Sequence, residues 1–174
     1  MSSLSTFDAA QERAFRRRAF PSATAADWAD WRWQLRHRIR SGRGLERVLE
    51  LSADERRALA APDTWRMPLA VTPYMLGLLS RETPGGPLRR TLLPDVREAR
   101  TGKGERRDPL GEEAHQVAPG LVRSYPHKAL LLATADCAGF CRYCTRARTA
   151  PAPLGGRPGA APPDSGRALA WLRR

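Results

Sequence analysis

The chain has 174 residues, 41% of them hydrophobic, with 15 prolines and 14 glycines, which suits one ordinary domain that has a core and much irregular backbone. Its formal charge of +12 comes almost wholly from arginine, since Lys103 and Lys128 are the only lysines, and these arginines are scattered rather than gathered in a stripe, which argues against a sequence-specific nucleic-acid binder. No apolar run approaches the ~20 residues of a membrane span and the first 20 residues hold no apolar stretch of a secretory signal, so the chain reads as cytoplasmic, with no membrane partner.

Residues 1–26 read as a weakly ordered arm. From Asp27 the pattern turns helical: Trp28, Trp31, Leu35 and Ile39 recur at intervals of three and four, as on one helix face. SGRG at 41–44 ends that helix, and Leu45, Val48 and Leu49 begin a short turn. Ser52 with Glu55 forms a capping box that opens a helix over 53–61. Thr72 as N-cap and Pro73 at the first helical position open another, in TPYMLGLLS at 72–80. The Trp and Leu side chains of these segments read as packing between small helices.

Residues 82–124 read mostly as loop, marked by TPGGP, LPD, TGKGERRDP and APG. A loop of that length in a compact domain is functional or wraps another part of the protein. KALLLAT at 128–134 is apolar on both faces, which predicts a strand inside a parallel sheet. Residues 149–163 read as a flexible connection, followed by a helix capped by Asp164 or Ser165 with Ala168, Leu169 and Leu172 facing inward. A buried parallel strand needs parallel neighbours and helices on both faces. Nothing after residue 134 supplies a second such strand, so the chain reads as the opening of a larger α/β domain. The organisation expected is an arm at 1–26, a helical and loop-rich segment at 27–124, and the start of the α/β unit at 125–174.

Every cysteine lies in ATADCAGFCRYCTRAR, residues 133–148, as Cys137, Cys141 and Cys144 in the spacing C-x3-C-x2-C. Three cysteines cannot all pair with one another, and thiols clustered this closely in a reducing compartment suggest metal binding or redox chemistry. Structural zinc wants four ligands in two short-spaced pairs. The histidines are His37, His115 and His127, and a strand after His127 would hold it about 20 Å from the cysteines. A [4Fe–4S] cluster suits three thiolates better, because one iron is left open for a ligand.

C-x3-C-x-aromatic-C after an apolar strand, with Tyr143 as the aromatic residue, resembles the signature of radical S-adenosylmethionine (SAM) enzymes. The wider stretch is similar to their lysine 2,3-aminomutase family. The matching pieces are WRWQLRHRI at 31–39, RMPLAVTPYMLGLL at 66–79, DPLGEE at 108–113, VAPGLVRSYPHKALLLAT at 117–134 and CRYCTRAR at 141–148, in the family's order over roughly residues 28–174.

The resemblance implies an α/β fold in which an N-terminal helical segment leads into the first strand, cluster loop and first helix of a partial (β/α) barrel. It implies a [4Fe–4S] cluster, SAM and pyridoxal phosphate (PLP) as cofactors, and the migration of an amino group between the α and β carbons of a small-molecule substrate, the amino acid lysine or else glutamate. Cys137, Cys141 and Cys144 match the cluster ligands, Tyr143 a residue beside adenine, Arg146 the partner of the substrate carboxylate, and Tyr125 a residue near the PLP phosphate. Lys128 and Ser124 stand where the family has arginines at that phosphate. Lys128 keeps the charge without the fork, and Ser124 keeps a hydroxyl. The PLP lysine, the glycine-rich SAM segment and the acidic residues for the substrate's distal amine belong to later parts of the family's chain. The expectation is therefore a truncated front portion, inactive by itself, of an enzyme whose full-length relatives form homo-oligomers. The alternatives are a non-catalytic iron–sulfur remnant and a basic module that binds nucleic acid weakly and without sequence preference.

Overall fold

A computed structural model of the chain describes residues 8–62, 65, 67–100, 102–106, 108–134, 136–149 and 165–173. The arm expected at the N-terminus instead carries α1 (Ala9–Ala19), capped by Asp8, whose carboxylate accepts from the N–H groups of Ala10 and Gln11. Phe15 of α1 is buried against Phe20 and Trp28, which in turn pack on Trp33, with ring centroids about 6 Å apart through this aromatic group.

The helix expected from Asp27 onward is two helices, α2 (Ala25–Ala29) and α3 (Trp31–Arg36). Asp30 ends the first and caps the second, accepting from the N–H groups of Arg32 and Trp33. The break rotates the apolar face, so that Trp33 is buried while Trp31 is 60% exposed. Gln34 is buried with both ends satisfied: its amide donates to the Trp28 carbonyl at 2.9 Å and accepts from the Tyr74 N–H at 2.9 Å. Ser41, expected to end a helix, caps α4 (Gly42–Glu46).

The Ser52–Glu55 capping box opens α5 (Ala53–Leu59), and Thr72 with Pro73 opens α6 (Pro73–Leu79), as expected. Glu55 has a second task. Its carboxylate receives Arg89, 2% exposed, which belongs to α7 (Pro87–Leu92), at 3.0 and 3.2 Å. Arg89 also donates to the carbonyls of Leu79 and Glu50, so the buried cation is fully engaged. Leu45, Val71, Leu76 and Leu79 form the centre of this helical core.

The stretch 82–124 is more ordered than a loop. It carries α7, a 3₁₀ turn at Val96–Ala99, another at Glu113–His115, and two strands, β1 (Gln116–Ala118) and β2 (Leu121–Tyr125). The strand expected within a parallel sheet is β3 (Lys128–Leu131), the third strand of an antiparallel meander in the order β1-β2-β3. Pro119 and Gly120 connect β1 to β2, and Gly120 takes φ +75°, the conformation that a turn led by proline asks of its next residue. Lys128, Ala129 and Leu130 are exposed, so the apolar run does not lie between covering helices. The architecture is thus helices plus a small antiparallel sheet.

The last helix, α8 (Ser165–Leu172), lies against β1. Ala168 is buried as expected, but Leu169 and Leu172 are exposed. Ser165 is the first helical residue, whereas Asp164 and most of the expected connection at 149–163 lie outside the described residues. Among the described residues no helix is long and apolar enough to cross a membrane.

Candidate functional site

The cysteine loop follows the end of β3, and none of its three cysteines is in a helix. It is strapped to the helical platform along its length. Arg38, with a side chain 4% exposed, donates to the Cys137 carbonyl and to the Asp136 carboxylate at 3.3 Å. The Phe140 N–H donates to the Ala70 carbonyl at 3.3 Å, and its ring is buried with Met67 and Ala70. A Cβ on Gly139 would sit 3.3 Å from the Met75 sulfur, so the glycine lets the loop lie close against this platform. The Arg142 N–H donates to the Thr91 carbonyl at 2.7 Å. Its guanidinium grips both oxygens of Glu98 and donates to the carbonyls of Met67 and Pro68 at 2.9 and 3.3 Å.

The three thiols are free of disulfides. Cys137 is exposed, and its S–H donates to the Gly139 carbonyl at 3.2 Å. Cys141 packs against the main core and Cys144 against the Met67–Phe140 cluster. Among the described residues no three His, Cys, Asp or Glu side chains form a metal-holding group. The donor chemistry nevertheless fits an iron–sulfur cluster, for three free thiols lie within eight residues of one anchored loop.

Beside the loop, two of the motifs noted above meet. Arg146 donates through Nε and Nη2 to Glu112 Oε1 at 3.1 and 2.8 Å, and Arg148 donates to Glu112 Oε2 at 2.8 Å. Glu112 is only 4% exposed. Burial would raise its pKa, but the bonds from Arg146 and Arg148 outweigh burial and hold it below the ordinary carboxylate range. Arg148 also faces Asp108 at 3.4 Å and Glu113 at 3.3 Å. Asp108 is held low first by the Glu113 N–H, which donates to it at 2.7 Å, then by the Glu112 N–H and after that by Arg148. Asp108 Oδ1 and Arg148 Nη1 face one another without hydrogen-bond geometry, a purely ionic contact. Arg146, matched to a substrate carboxylate, is thus oriented by a carboxylate of its own chain.

The residues matched to the PLP phosphate lie on the sheet. Tyr125 is exposed at the end of β2, and the Lys128 ammonium rests 4.2 Å from its ring centroid. Ser124 and Tyr125 line an open cavity with Arg123 and His115, while His127 occupies the turn between β2 and β3. Tyr143 is 73% exposed, with no packing that marks a binding role. Sequence reasoning missed Arg38, Glu98, Glu112, Arg142 and Arg148. Arg38, Glu112, Arg142 and Arg148 lay inside quoted motifs, but nothing local announces a partner more than 30 residues away.

No protein-family model matches the chain. It is 38% identical over 132 residues to the L-lysine 2,3-aminomutases of Acetoanaerobium sticklandii and of Clostridium subterminale, a match that covers 75% of this chain and 31% of each relative. It is 31% identical over 127 residues to the glutamate 2,3-aminomutase of Clostridioides difficile, covering 73% of this chain and 30% of that protein. Over about three quarters of its length the chain is thus similar to aminomutases named for two different substrates. The chain belongs to the lysine 2,3-aminomutase family and spans about a third of the length of the curated relatives it matches.

Proposed function

We propose that the chain carries the iron–sulfur loop and part of the cofactor face of an isomerase that moves an amino group between adjacent carbons of an amino acid, with lysine as the substrate. The observation that carries this reading is 38% identity to L-lysine 2,3-aminomutases together with three free thiols in C-x3-C-x2-C on one anchored loop. Cys137, Cys141 and Cys144 would hold a [4Fe–4S] cluster with one iron left for SAM. Tyr143 is assigned to the adenine, Tyr125 to the phosphate end of PLP, and Arg146 to the substrate carboxylate. When bound, these groups supply the radical chemistry and the rearrangement, and the protein positions them.

The positioning is what this chain's residues do. Arg38 and Arg142 hold the loop backbone on either side of Cys141. Glu112 receives Nε and Nη2 of Arg146, which fixes the plane of a guanidinium suited to a carboxylate. Glutamate as substrate is the second reading, favoured by the relative from Clostridioides difficile.

Anaerobic reconstitution with iron and sulfide tests the reading. The expected product binds about four irons per chain and absorbs broadly near ~400 nm. Cys141→Ala should lose both, and SAM should perturb the spectrum of the unmodified chain. Zinc uptake without that band would sink the proposal, and a cluster blind to SAM would leave a non-catalytic iron–sulfur protein. Since the chain spans about a third of its relatives, incubation with dithionite, SAM, PLP and lysine should yield no β-lysine.

A further inference from the structure

The cavity between β1 and β2 holds about 450 Å³, within the range of small-molecule sites. Its lining includes His115, Arg123, Ser124 and Tyr125. Three successive residues of a regular strand cannot share one cavity, because alternate side chains point to opposite faces. The register of β2 explains why these do. Val122 pairs with Leu130 and Tyr125 pairs with Lys128, so Arg123 and Ser124 stand opposite Ala129 alone. Two residues facing one is a β-bulge, which turns consecutive side chains toward the same side.

Within the cavity Arg123 is held in place. Its Nη2 donates to the Pro126 carbonyl at 2.7 Å, and its guanidinium packs 5.6 Å from the Trp171 ring centroid of α8. Neither contact neutralises its charge, and among the described residues no carboxylate pairs with it. Lys128 is not part of the lining, for its ammonium lies on the Tyr125 ring. Ser124 supplies only a hydroxyl. The cation in the lining of this cavity is therefore Arg123, with His115 as a further nitrogen.

We infer that the β2 bulge makes Arg123 the gripping residue of a phosphomonoester site, in place of the charge that Ser124 lacks and with Lys128 outside it. The inference rests on the reading of this face as the one that receives PLP. A planar fork held by Trp171 and Pro126 offers two parallel donors to a phosphate, which an ammonium does not.

Equilibrium dialysis of the 174-residue chain with pyridoxine 5′-phosphate tests it, since that ester has no aldehyde to react with lysine. Pyridoxine, which lacks the phosphate, measures the ring's own contribution. Arg123→Met should weaken binding about tenfold or more, the loss of a charge-assisted pair. Arg123→Lys, which keeps the charge without the fork, should fall between Met and the unmodified chain. Lys128→Met should change the affinity by less than about twofold, because its ammonium lies outside the lining on the Tyr125 ring. Circular dichroism of each variant checks folding. If Lys128→Met weakens binding and Arg123→Met does not, the inference fails while the PLP reading stands. If the unmodified chain binds the ester no better than pyridoxine, the pocket and the PLP part of the proposed function both fall, and the cluster loop does not.

Discussion

In the helical platform, residues 8–100, Leu45, Val71, Leu76 and Leu79 are sealed from solvent, and an aromatic group built on Phe15, Trp28 and Trp33 packs beside them. In the sheet, Leu121 and Val122 are the buried residues, while Val117, Tyr125 and Leu130 face outward. The cysteine loop lies between these regions and takes its order from the platform, through Arg38, Phe140 and Arg142. The difference teaches that the part bearing the candidate chemistry is not the part that holds itself together. An apolar core tolerates no rearrangement, whereas a loop tied by a few polar straps can reposition its thiols without unfolding what lies beneath.

The largest test of that division is Leu76→Ala. Truncating a sealed leucine should cost about 3–5 kcal/mol, read as a shift in the urea midpoint of helical circular dichroism. A loss below about 1 kcal/mol would mean that the platform has no self-sufficient core. Arg142→Ala should do the converse. Removing a guanidinium that serves Glu98 and two carbonyls costs about 1.5–3 kcal/mol of loop anchoring. Thiol labelling of Cys141 and Cys144 should then accelerate strongly while the helical midpoint moves little. Equal effects on both would erase the distinction between strap and core.

A smaller effect is expected from acid. Glu112 and Asp108 are both depressed in the folded chain, from reference values of 4.5 and 3.8. Groups with lowered folded pKa stabilise fully above their unfolded values and lose that contribution as pH falls through the folded ones. The loop should therefore loosen below about pH 4.5, with faster thiol labelling, before the platform melts. Glu112→Gln should flatten this dependence, and loosening on raising the pH from 5 to 7 would contradict it. The smallest effect belongs to Trp31→Ala, expected within about 0.5 kcal/mol because the ring is largely in solvent. Trp33→Ala, buried in the aromatic group, should cost about 3 kcal/mol or more. A reversal of that pair would restore the single helix read from periodicity.

That pair also marks the limit of local reading. The Ser52–Glu55 box and the Thr72–Pro73 start were legible because a cap closes within three residues of itself, and its chemistry is complete in the sequence. The cysteine spacing was legible for the same reason, as three thiols within eight residues need no distant partner to be recognised. Trp31 was misplaced because an interval of three and four runs through Asp30 unbroken, and nothing in the spacing says that a carboxylate will end one helix and begin the next. The KALLLAT segment was read as a strand covered on both faces inside a parallel sheet, but covering and parallel or antiparallel pairing are properties of its neighbours. Here β2 arrives through a two-residue turn and pairs antiparallel. Glu112 and Arg146 stand 34 residues apart, and Arg123 reaches its cavity by a register shift. Local hydrogen bonds, turn residues and donor spacing were thus set by the amino-acid sequence alone. Which charge meets which, and which face a strand residue presents, was decided by the tertiary structure, because those energies depend on separations that the chain acquires when it folds.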